Sequence, residues 1–440
     1  MSAIVRREPE TTLDAAPVLV FSADSHIGPR KADLRPYCPK KYLDEFDDFY
    51  ESVEALTPMF EEMAKKGASE EAFNGRRRNL GTAGHYDPHA RLRDYDRDGV
   101  AGGVIFHASL NDEPMPFDLM NVFANGIPAA EAQELAGVGR SMYNRFLADF
   151  CTVEPERHVA LAQLPFWDLD ASIREVEWCA DHGFRGVNFP VPGAPGRERP
   201  YGDEFDGFFS AAAALDMTLT THNGARPHGF FFDMPADFQW GLLEAGEWGL
   251  RTIYMTIIFG VFERHPNLKL VLTEIPGIRW EEMAARMDSI FLSPFRRADH
   301  LPRLPSEYLN ENVWIGCSFM SREEAQTAIE IGREDRCMWG SDYPHPEGTF
   351  SYSSDPAEYP MTRLSLANTF HDLSLDKVRK MVGTNAFDAY PRLDRPGLQK
   401  VAERVGFAAR EISTAPDLGQ HPYITNTGTM GFRTRGAWGP

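Results

Sequence analysis

Four short segments of the sequence end in residues that can bind a metal ion, and each follows a run of apolar residues. They are Ala23-Asp24-Ser25-His26, Thr221-His222, Thr273-Glu274 and Gly340-Ser341-Asp342. Because alternate residues of a strand point to the same side, Asp24 and His26 can approach one ion together. Imidazole mixed with carboxylate suits Zn²⁺, and also Mn²⁺ where carboxylate is abundant. The sequence therefore predicts one divalent ion, Zn²⁺ as first choice and Mn²⁺ as second. The predicted ligands are Asp24, His26, His222 and Asp342.

Each predicted ligand also has a purely structural interpretation. Asp24 could cap a helix, His222 could be a hydrogen-bonded core histidine, and Asp342 could cap the following turn. The four together are harder to explain in this way. Buried charges at several strand ends are costly unless they are paired or bound to metal.

Other polar residues near the strand ends are candidates for catalysis or substrate binding. His345 and His228 follow predicted ligands by a few residues and could donate a proton or contact substrate. Arg226 could bind a carboxylate through its bidentate fork. The candidates for catalysis are Glu274, Asp342, His345 and His228. The candidates for substrate contact are Arg226, Asn188, His107 and Arg279.

These residues need a scaffold that brings strand ends together, and the apolar runs supply one. Eight runs alternate with helical patterns: Val18–Asp24, Gly103–His107, Val159–Pro165, Gly186–Pro190, Met217–His222, Leu268–Glu274, Val313–Phe319 and Cys337–Asp342. Helices are expected at Asp170–Asp181, Asp203–Leu215, Leu242–Arg264, Arg279–Phe291, Arg322–Gly332 and Asp376–Ala389. This alternation predicts an α/β fold, a (β/α)₈ TIM barrel, whose active residues lie at the carboxyl ends of the strands.

Two regions of the sequence are additional to the eight strand–helix units of a minimal barrel. Residues of about 29–90 separate the first two strands and are expected to form an inserted helical lid beside the site. Residues 393–440 show little periodicity and are expected to be a C-terminal extension or an arm on a partner subunit. The predicted barrel domain is 1–392.

The composition excludes several classes of function. The chain has 440 residues with a formal net charge of −20, and it contains no basic run of the kind that binds nucleic acid. The N-terminus has no apolar signal region, and the longest apolar stretch, Tyr254–Phe262, is too short to span a bilayer. Five cysteines without a CxxC pair suggest reduced thiols. We expect a cytoplasmic protein with a small-molecule substrate.

The motifs resemble the amidohydrolase superfamily, and more narrowly the amidohydrolase-related branch that includes aminocarboxymuconate-semialdehyde decarboxylase and aromatic-acid decarboxylases. The resembling segments are Ala23–His26, Arg91–Val100, Pro155–His158, Gly183–Val187, His222-Asn223, His265–Lys269 and Gly340–His345. The resemblance implies a barrel with one metal ion and a homo-dimer or higher homo-oligomer. The fifth-strand histidine of the family falls on His222 and the eighth-strand aspartate on Asp342. Asp24-x-His26 is similar to members whose first motif begins with an acidic residue.

The chain departs from this family at Glu274, where many members have a catalytic histidine. We therefore rank hydrolysis of an amide, ester or lactone by metal-activated water first, with Glu274 or Asp342 as the base and His345 or His228 stabilising the oxyanion. Non-oxidative decarboxylation of an aromatic or enol acid is the alternative, favoured if Arg226 or Arg279 enters the site. A metal-binding scaffold without catalysis is the third hypothesis.

Overall fold

The computed structural model describes residues 16–67, 70–118, 129–191, 202–224, 236–275, 279–294, 300–355 and 357–418. Within these residues, nine strands form one parallel sheet in the order β1-β3-β4-β5-β6-β7-β8-β9, and β2 also pairs with β3. The strands are β1 Phe21–Ser22, β2 His26–Ile27, β3 Gly102–His107, β4 His158–Ala162, β5 Gly186–Asn188, β6 Thr218–His222, β7 Leu270–Thr273, β8 Val313–Ser318 and β9 Cys337–Gly340. The sheet curls into a nearly closed barrel, which confirms the predicted TIM-barrel fold.

The first strand of the barrel is split into β1 and β2. The Ser22 hydroxyl donates a hydrogen bond of 2.5 Å to the Asp24 carbonyl, and this local bond lies where the strand is interrupted. The seam of the barrel closes here: the Ala23 N–H donates to the Trp339 carbonyl at 2.9 Å and the Asp342 N–H to the Asp24 carbonyl at 3.0 Å. The two segments with predicted aspartate ligands are therefore neighbours.

Every residue of the nine strands is buried, as expected for parallel strands covered on both faces. Alternation divides their side chains between two apolar layers. The barrel interior contains Phe21, Val104, Leu161, Val271, Trp314 and Met338, and Leu398 and Val401 join this cluster. The outer layer contains Ile105, Ala160, Val187, Leu219, Leu272 and Cys317, which pack with the surrounding helices.

The helices that surround the strands follow most of the predicted ranges. They are α1 Lys31–Leu34, α2 Leu43–Gly67, α3 Glu70–Asn79, α4 Pro88–Asp98, α5 Gln133–Phe150, α6 Leu169–Asp181, α7 Asp206–Ala214, α8 Asp237–Gly249, α9 Arg251–Ile258, α10 Val261–Arg264, α11 Trp280–Phe291, α12 Pro305–Asn312, α13 Arg322–Glu330, α14 Met361–Phe370, α15 Leu375–Arg379, α16 Asn385–Ala389, α17 Arg395–Val405 and α18 Ala409–Ser413. The prediction of one long helix over Leu242–Arg264 is wrong. The segment forms three helices, α8, α9 and α10, and Gly260, with φ of 72°, lies between α9 and α10.

The insertion between β2 and β3 is helical, as the sequence predicts. Helix α3 ends at Asn79, whose side-chain amide donates to the carbonyls of Pro344 and Phe350 at 2.9 and 3.2 Å. The insertion is therefore anchored to the loop that follows β9.

The C-terminal region contains two helices that the sequence analysis did not predict. The range 393–440 shows little periodicity and is expected to be an extension or an arm, and α17 and α18 lie within it and pack on the barrel. Residues 419–440 lie outside the described residues. Among the described helices, none has the length and apolar character needed to cross a membrane.

Candidate metal centre

The four predicted ligands converge at the carboxyl ends of the strands. The His26 Nε2 atom lies 3.2 Å from Asp24 Oδ1 and 3.2 Å from Asp342 Oδ1. The His222 Nε2 atom lies 3.7 Å from the same Asp24 oxygen. Three of these side chains are fully buried, and His222 is 5 % exposed. The sequence therefore brings two carboxylates and two imidazoles to one point.

Hydrogen bonds behind the cluster orient each ligand. The Nδ1 atom of His26 is 2.8 Å from the His107 carbonyl, and Nδ1 of His222 is 2.5 Å from the Asn223 carbonyl. A carbonyl can only accept, so each Nδ1 carries a proton and each Nε2 is the ring nitrogen that faces the centre. The Ser318 hydroxyl donates to Asp24 Oδ2, which directs Oδ1 inward. This second layer is typical of metal-binding histidines and carboxylates.

Several atoms at the centre make no hydrogen bond within the described part of the chain. They are Asp24 Oδ1, His26 Nε2 and both carboxylate oxygens of Asp342. Buried polar atoms are rarely left in this state, because each costs about 1–3 kcal/mol. A divalent cation would satisfy all of them, and the histidine nitrogens and carboxylate oxygens are donors that such ions accept. The residues present therefore fit a divalent metal ion.

The electrostatics of the cluster lead to the same conclusion. Burial by itself lowers the pKa of His26, but the carboxylates of Asp24 and Asp342 outweigh it and raise that pKa to about 10. Burial raises the pKa of Asp342, while His345 and His26 lower it below its ordinary value. Positive charge is thus strongly favoured between the two carboxylates.

Three further titratable side chains, Glu274, His345 and Glu347, lie beside the four ligands. Glu274 Oε2 lies 3.5 Å from His222 Nδ1, and the Glu274 side chain is 16 % exposed. His345 stacks on the His26 ring at 4.0 Å, and its Nδ1 is 3.1 Å from Asp342 Oδ1. Glu347 Oε1 lies 3.7 Å from the same nitrogen of His345. Glu347 was not among the predicted site residues, although its position two residues after His345 could have indicated it.

These flanking groups have shifted pKa values. Burial and then the carboxylates of Asp342 and Asp24 raise the pKa of Glu274 well above its ordinary value. Burial also raises the pKa of Glu347, against the opposing effect of His345. Burial lowers the pKa of His345, but the Asp342 carboxylate outweighs it and raises that pKa. The site thus combines fixed negative charge with carboxyl groups that can carry protons.

Several residues at the strand ends have left-handed backbone, which sets the direction of their side chains. Glu274 and Asp342 have φ angles of 59° and 54°, and Ala108 and Phe319 have φ angles of 73° and 42°. Non-glycine residues rarely adopt left-handed backbone, which costs about 1–3 kcal/mol and concentrates at functional sites. All four follow the end of a strand, at the edge where the metal-binding residues lie.

Two predicted substrate contacts lie elsewhere. Arg279 pairs with Glu247 and with Glu282 at the surface, because these nearby carboxylates satisfy its guanidinium. His107 faces away from the centre: its neighbour Phe106 contacts the His26 and His222 rings, whereas His107 contacts Tyr143 of α5. Alternation along β3 explains this placement. Arg226 and His228 lie outside the described residues.

Asn188, a predicted substrate contact, lies on the inner side of β5 beside a residue that the sequence analysis missed. Its amide donates to Gln163 Oε1 at 3.1 Å. Gln163 is 2 % exposed, and its Nε2 makes no hydrogen bond within the described residues. It follows β4 directly, so the same strand-end rule that selected Asn188 could have found it. The two amides offer polar groups for a substrate oxygen.

Comparisons with known proteins indicate the family to which the chain is similar. The amidohydrolase family matches residues 86–392. Gamma-resorcylate decarboxylase from Rhizobium sp. (strain MTP-10005) is 27% identical over 229 residues, which cover 46% of this chain and 64% of the relative. The match thus spans less than two thirds of the length of that relative.

Solved structures show the same fold at lower identity. A 5-carboxyvanillate decarboxylase from Novosphingobium aromaticivorans, complexed with manganese and 4-hydroxy-3-methoxy-5-nitrobenzoic acid, has a TM-score of 0.56 at 20% identity. The match covers 87% of this chain and 100% of the decarboxylase chain. An amidohydrolase from Mycobacterium avium subsp. paratuberculosis has a TM-score of 0.59 at 16% identity, and the match covers 86% of this chain and 98% of the amidohydrolase chain. At such identities the likeness concerns the fold alone.

Proposed function

The chain belongs to the amidohydrolase family, and from this premise we propose that it is a metal-dependent carboxy-lyase acting on a hydroxylated aromatic or enol acid. The family match confirms the resemblance carried by the motifs. The geometry of the centre suits either hydrolysis or decarboxylation. The observation that carries the choice is the similarity to gamma-resorcylate decarboxylase. It favours the reaction that the sequence analysis ranked second.

In this proposal Asp24, His26, His222 and Asp342 hold one divalent ion. When bound, the ion supplies positive charge that attracts a substrate carboxylate or phenolate oxygen. Zn²⁺ and Mn²⁺ both suit the donors, and the two carboxylates favour Mn²⁺ more than a histidine-only site would. Arg226 keeps the role predicted from the sequence, as a contact for the substrate carboxylate, and His228 is assigned the second of its two predicted roles, as a substrate contact.

The residues beside the ligands carry out the proton transfer. Glu274 borders the open part of the site, whereas Asp24 and Asp342 are fully buried. We assign it the delivery of a proton to the carbon that bears the carboxylate. The bond from that carbon to the carboxyl carbon then breaks, its electron pair returns to the ring, and CO₂ leaves. Glu274, left as a carboxylate, regains a proton from solvent.

Other side chains orient the reactants. His345 stacks on His26 and contacts Asp342, so it restrains both ligands. The Asn188 and Gln163 amides lie on the inner side of neighbouring strands and bind a ring hydroxyl or a carboxylate oxygen. The Phe106 ring, which contacts two ligand imidazoles, excludes water from one side of the centre.

Hydrolysis is the second candidate, and Glu274 is the observation that favours it. A carboxylate at this position is a suitable general base for a water molecule. The metal-loaded protein is therefore incubated in parallel with hydroxybenzoates such as 2,6-dihydroxybenzoate and with aryl amides and lactones in H₂¹⁸O. We expect CO₂ to be released from one of the hydroxybenzoates. In D₂O, the ring carbon that carried the carboxylate should gain one deuterium. Release of ¹⁸O-labelled acid without CO₂ would overturn the proposal in favour of hydrolysis.

A further inference from the structure

Arg91 of helix α4 is a fully buried arginine that lies directly behind the candidate metal centre. Its Nη1 donates to the His26 carbonyl at 3.0 Å, and its Nη2 donates to the Ser25 hydroxyl and, at 2.6 Å, to the Tyr95 hydroxyl. In the parts of the chain that the structure describes, no carboxylate forms an ion pair with it. Two of these three hydrogen bonds instead go to the segment that carries two predicted ligands.

The same guanidinium contacts the other side of the barrel seam. It lies 4.9 Å from the ring centroid of Tyr343, the residue that follows Asp342, and 4.7 Å from the ring of Tyr95. The two rings meet edge to face at 5.4 Å, and the Tyr343 hydroxyl donates to Asp94 at 2.7 Å. Arg91 thus joins the first ligand segment to the last one through a packed and hydrogen-bonded cluster.

A buried charge without a paired carboxylate is costly, and an apolar side chain of similar volume would usually serve packing as well. Arg91 differs from a packing residue because its donors fix the backbone at His26 and its flat face fixes Tyr343. A displacement of either segment would separate His26 from Asp342, whose ligand atoms lie 3.2 Å apart.

We propose that Arg91 is a positioning residue that sets the geometry and affinity of the metal centre by holding its first and last ligand segments together. This inference rests on the proposed metal site. Residues behind metal ligands change metal affinity by about 10- to 100-fold when they are substituted. The effect should therefore be visible in metal binding itself, without any measurement of turnover.

The test compares Arg91→Met with Arg157→Met. Arg157 is also fully buried, but it donates to the carbonyls of Ala101 and Val100 at 2.9 and 3.0 Å, before β4 at the opposite end of the strands. For each protein the dissociation constant for Mn²⁺ and the visible absorption bands after Co²⁺ loading are measured, together with thermal unfolding of the metal-free form. We expect R91M to bind Mn²⁺ about 10- to 100-fold more weakly, with shifted Co²⁺ bands. R157M should lose stability yet keep both metal readouts.

Arg91→Lys provides the conservative variant, and it keeps the test decisive if R91M does not fold. Lysine keeps the charge but lacks the fork and the flat face, so we expect an affinity between those of wild type and R91M. Folded R91M or R91K with a wild-type dissociation constant and wild-type Co²⁺ bands would overturn the inference. A wild-type protein that binds no metal would instead refute the proposed function, and the inference with it.

Discussion

At the scale of single residues, Asp342 is the predicted ligand that contacts both His26 and His345. Its Oδ1 lies 3.2 Å from His26 and 3.1 Å from His345, and its backbone is left-handed. Asp342→Asn keeps the shape but removes the charge. Because a metal ion supplies several kcal/mol to a transition state and each 1.36 kcal/mol is tenfold in rate, we expect kcat to fall by roughly 10²- to 10³-fold. Metal content, measured by elemental analysis, should fall as well.

Asp206→Asn is the matched control for this substitution. Asp206 is a half-exposed carboxylate that pairs with Arg264 and His265, away from the metal centre. Its loss should leave metal content and kcat close to the wild-type values. An unchanged metal content in D342N would remove Asp342 from the ligand set.

Glu274 is the residue on which the type of reaction depends. Glu274→Gln keeps the size of the side chain but cannot deliver a proton, so we expect kcat to fall by roughly 10²- to 10⁴-fold. Because Glu274 is not one of the four proposed ligands, the metal content should match the wild type. Elemental analysis alongside turnover separates the two roles. Loss of metal from E274Q would make Glu274 a ligand and leave the proton donor to be sought among the neighbouring histidines.

At the scale of secondary structure, the approach of β9 to the first strand leaves room only for glycine at position 340. A Cβ atom there would lie 2.9 Å from the Asp24 Cβ and 3.2 Å from the Asp24 nitrogen. Gly340→Ala should therefore force the seam apart. We expect the free energy of unfolding to fall by about 1–3 kcal/mol, as in other overpacked cores, with weaker metal binding.

Gly207→Ala is the control for this prediction. Gly207 lies in α7, where an added Cβ would make only ordinary contact with Ile173 at 3.6 Å. Because alanine favours a helix over glycine, the variant should be as stable as the wild type or slightly more stable. Urea unfolding of both variants measures the difference. Equal stabilities for G340A and G207A would show that the seam can adjust.

The start of β4 has a predictable response to pH. His158 is buried there, and its Nε2 lies 3.0 Å from the Val153 carbonyl. Burial, with the charges of nearby arginines, lowers the pKa of His158 to about 3. The folded state therefore keeps His158 neutral, whereas the unfolded chain takes up a proton below about pH 6.5. Its contribution to stability is complete above that pH and is lost as the pH falls towards 3.

His158→Gln tests this linkage, because glutamine can donate to the same carbonyl but does not titrate. Between pH 7.5 and pH 5 the wild type should lose more stability than H158Q, by up to about 1.4 kcal/mol per pH unit below 6.5. Urea unfolding at the two pH values gives the comparison. An identical loss in both proteins would mean that His158 takes up its proton over the same pH range in the folded and unfolded states.

The elements could be predicted from sequence where one local signal dominates. Apolar runs located the strands because both faces of a parallel strand are buried. The same reasoning failed at Leu242–Arg264, where apolar residues continue through the turn at Gly260 and hide the helix ends. It also missed α17, although Leu398, Val401 and Ala402 have helical spacing and are buried against the barrel.

The site shows the same division. The strand-end rule found Asp24, His26, His222 and Asp342, since position along a strand fixes which end of the barrel a residue occupies. It could not give the direction of a side chain, so His107 was placed in the site although it faces Tyr143. The rule also could not separate hydrolysis from decarboxylation, because both reactions use a similar ligand set.

At the scale of the whole molecule, the barrel separates stability from chemistry. The candidate metal centre lies at the carboxyl ends of the strands, while α17 lies against the barrel interior near the residues that precede β4. The net charge of −20 repels anions from most of the surface, so an acidic substrate needs a local positive charge in order to bind. A metal ion in the site would supply that charge. Assembly as a homo-oligomer and location in the cytoplasm stay predictions from the sequence.

The clearest test of this separation is Leu398 of α17, which is fully buried in the cluster formed by the barrel interior. Leu398→Ala removes three carbons from a packed position, so we expect the free energy of unfolding to fall by about 2–5 kcal/mol. At 25 °C the folded fraction should still bind Mn²⁺ with an affinity within about twofold of wild type, because α17 packs near the residues that precede β4, at the end of the barrel opposite the proposed ligands. Urea unfolding and metal titration on the same preparation give both quantities. A loss of metal affinity comparable to that of R91M would show that the two ends of the barrel are coupled.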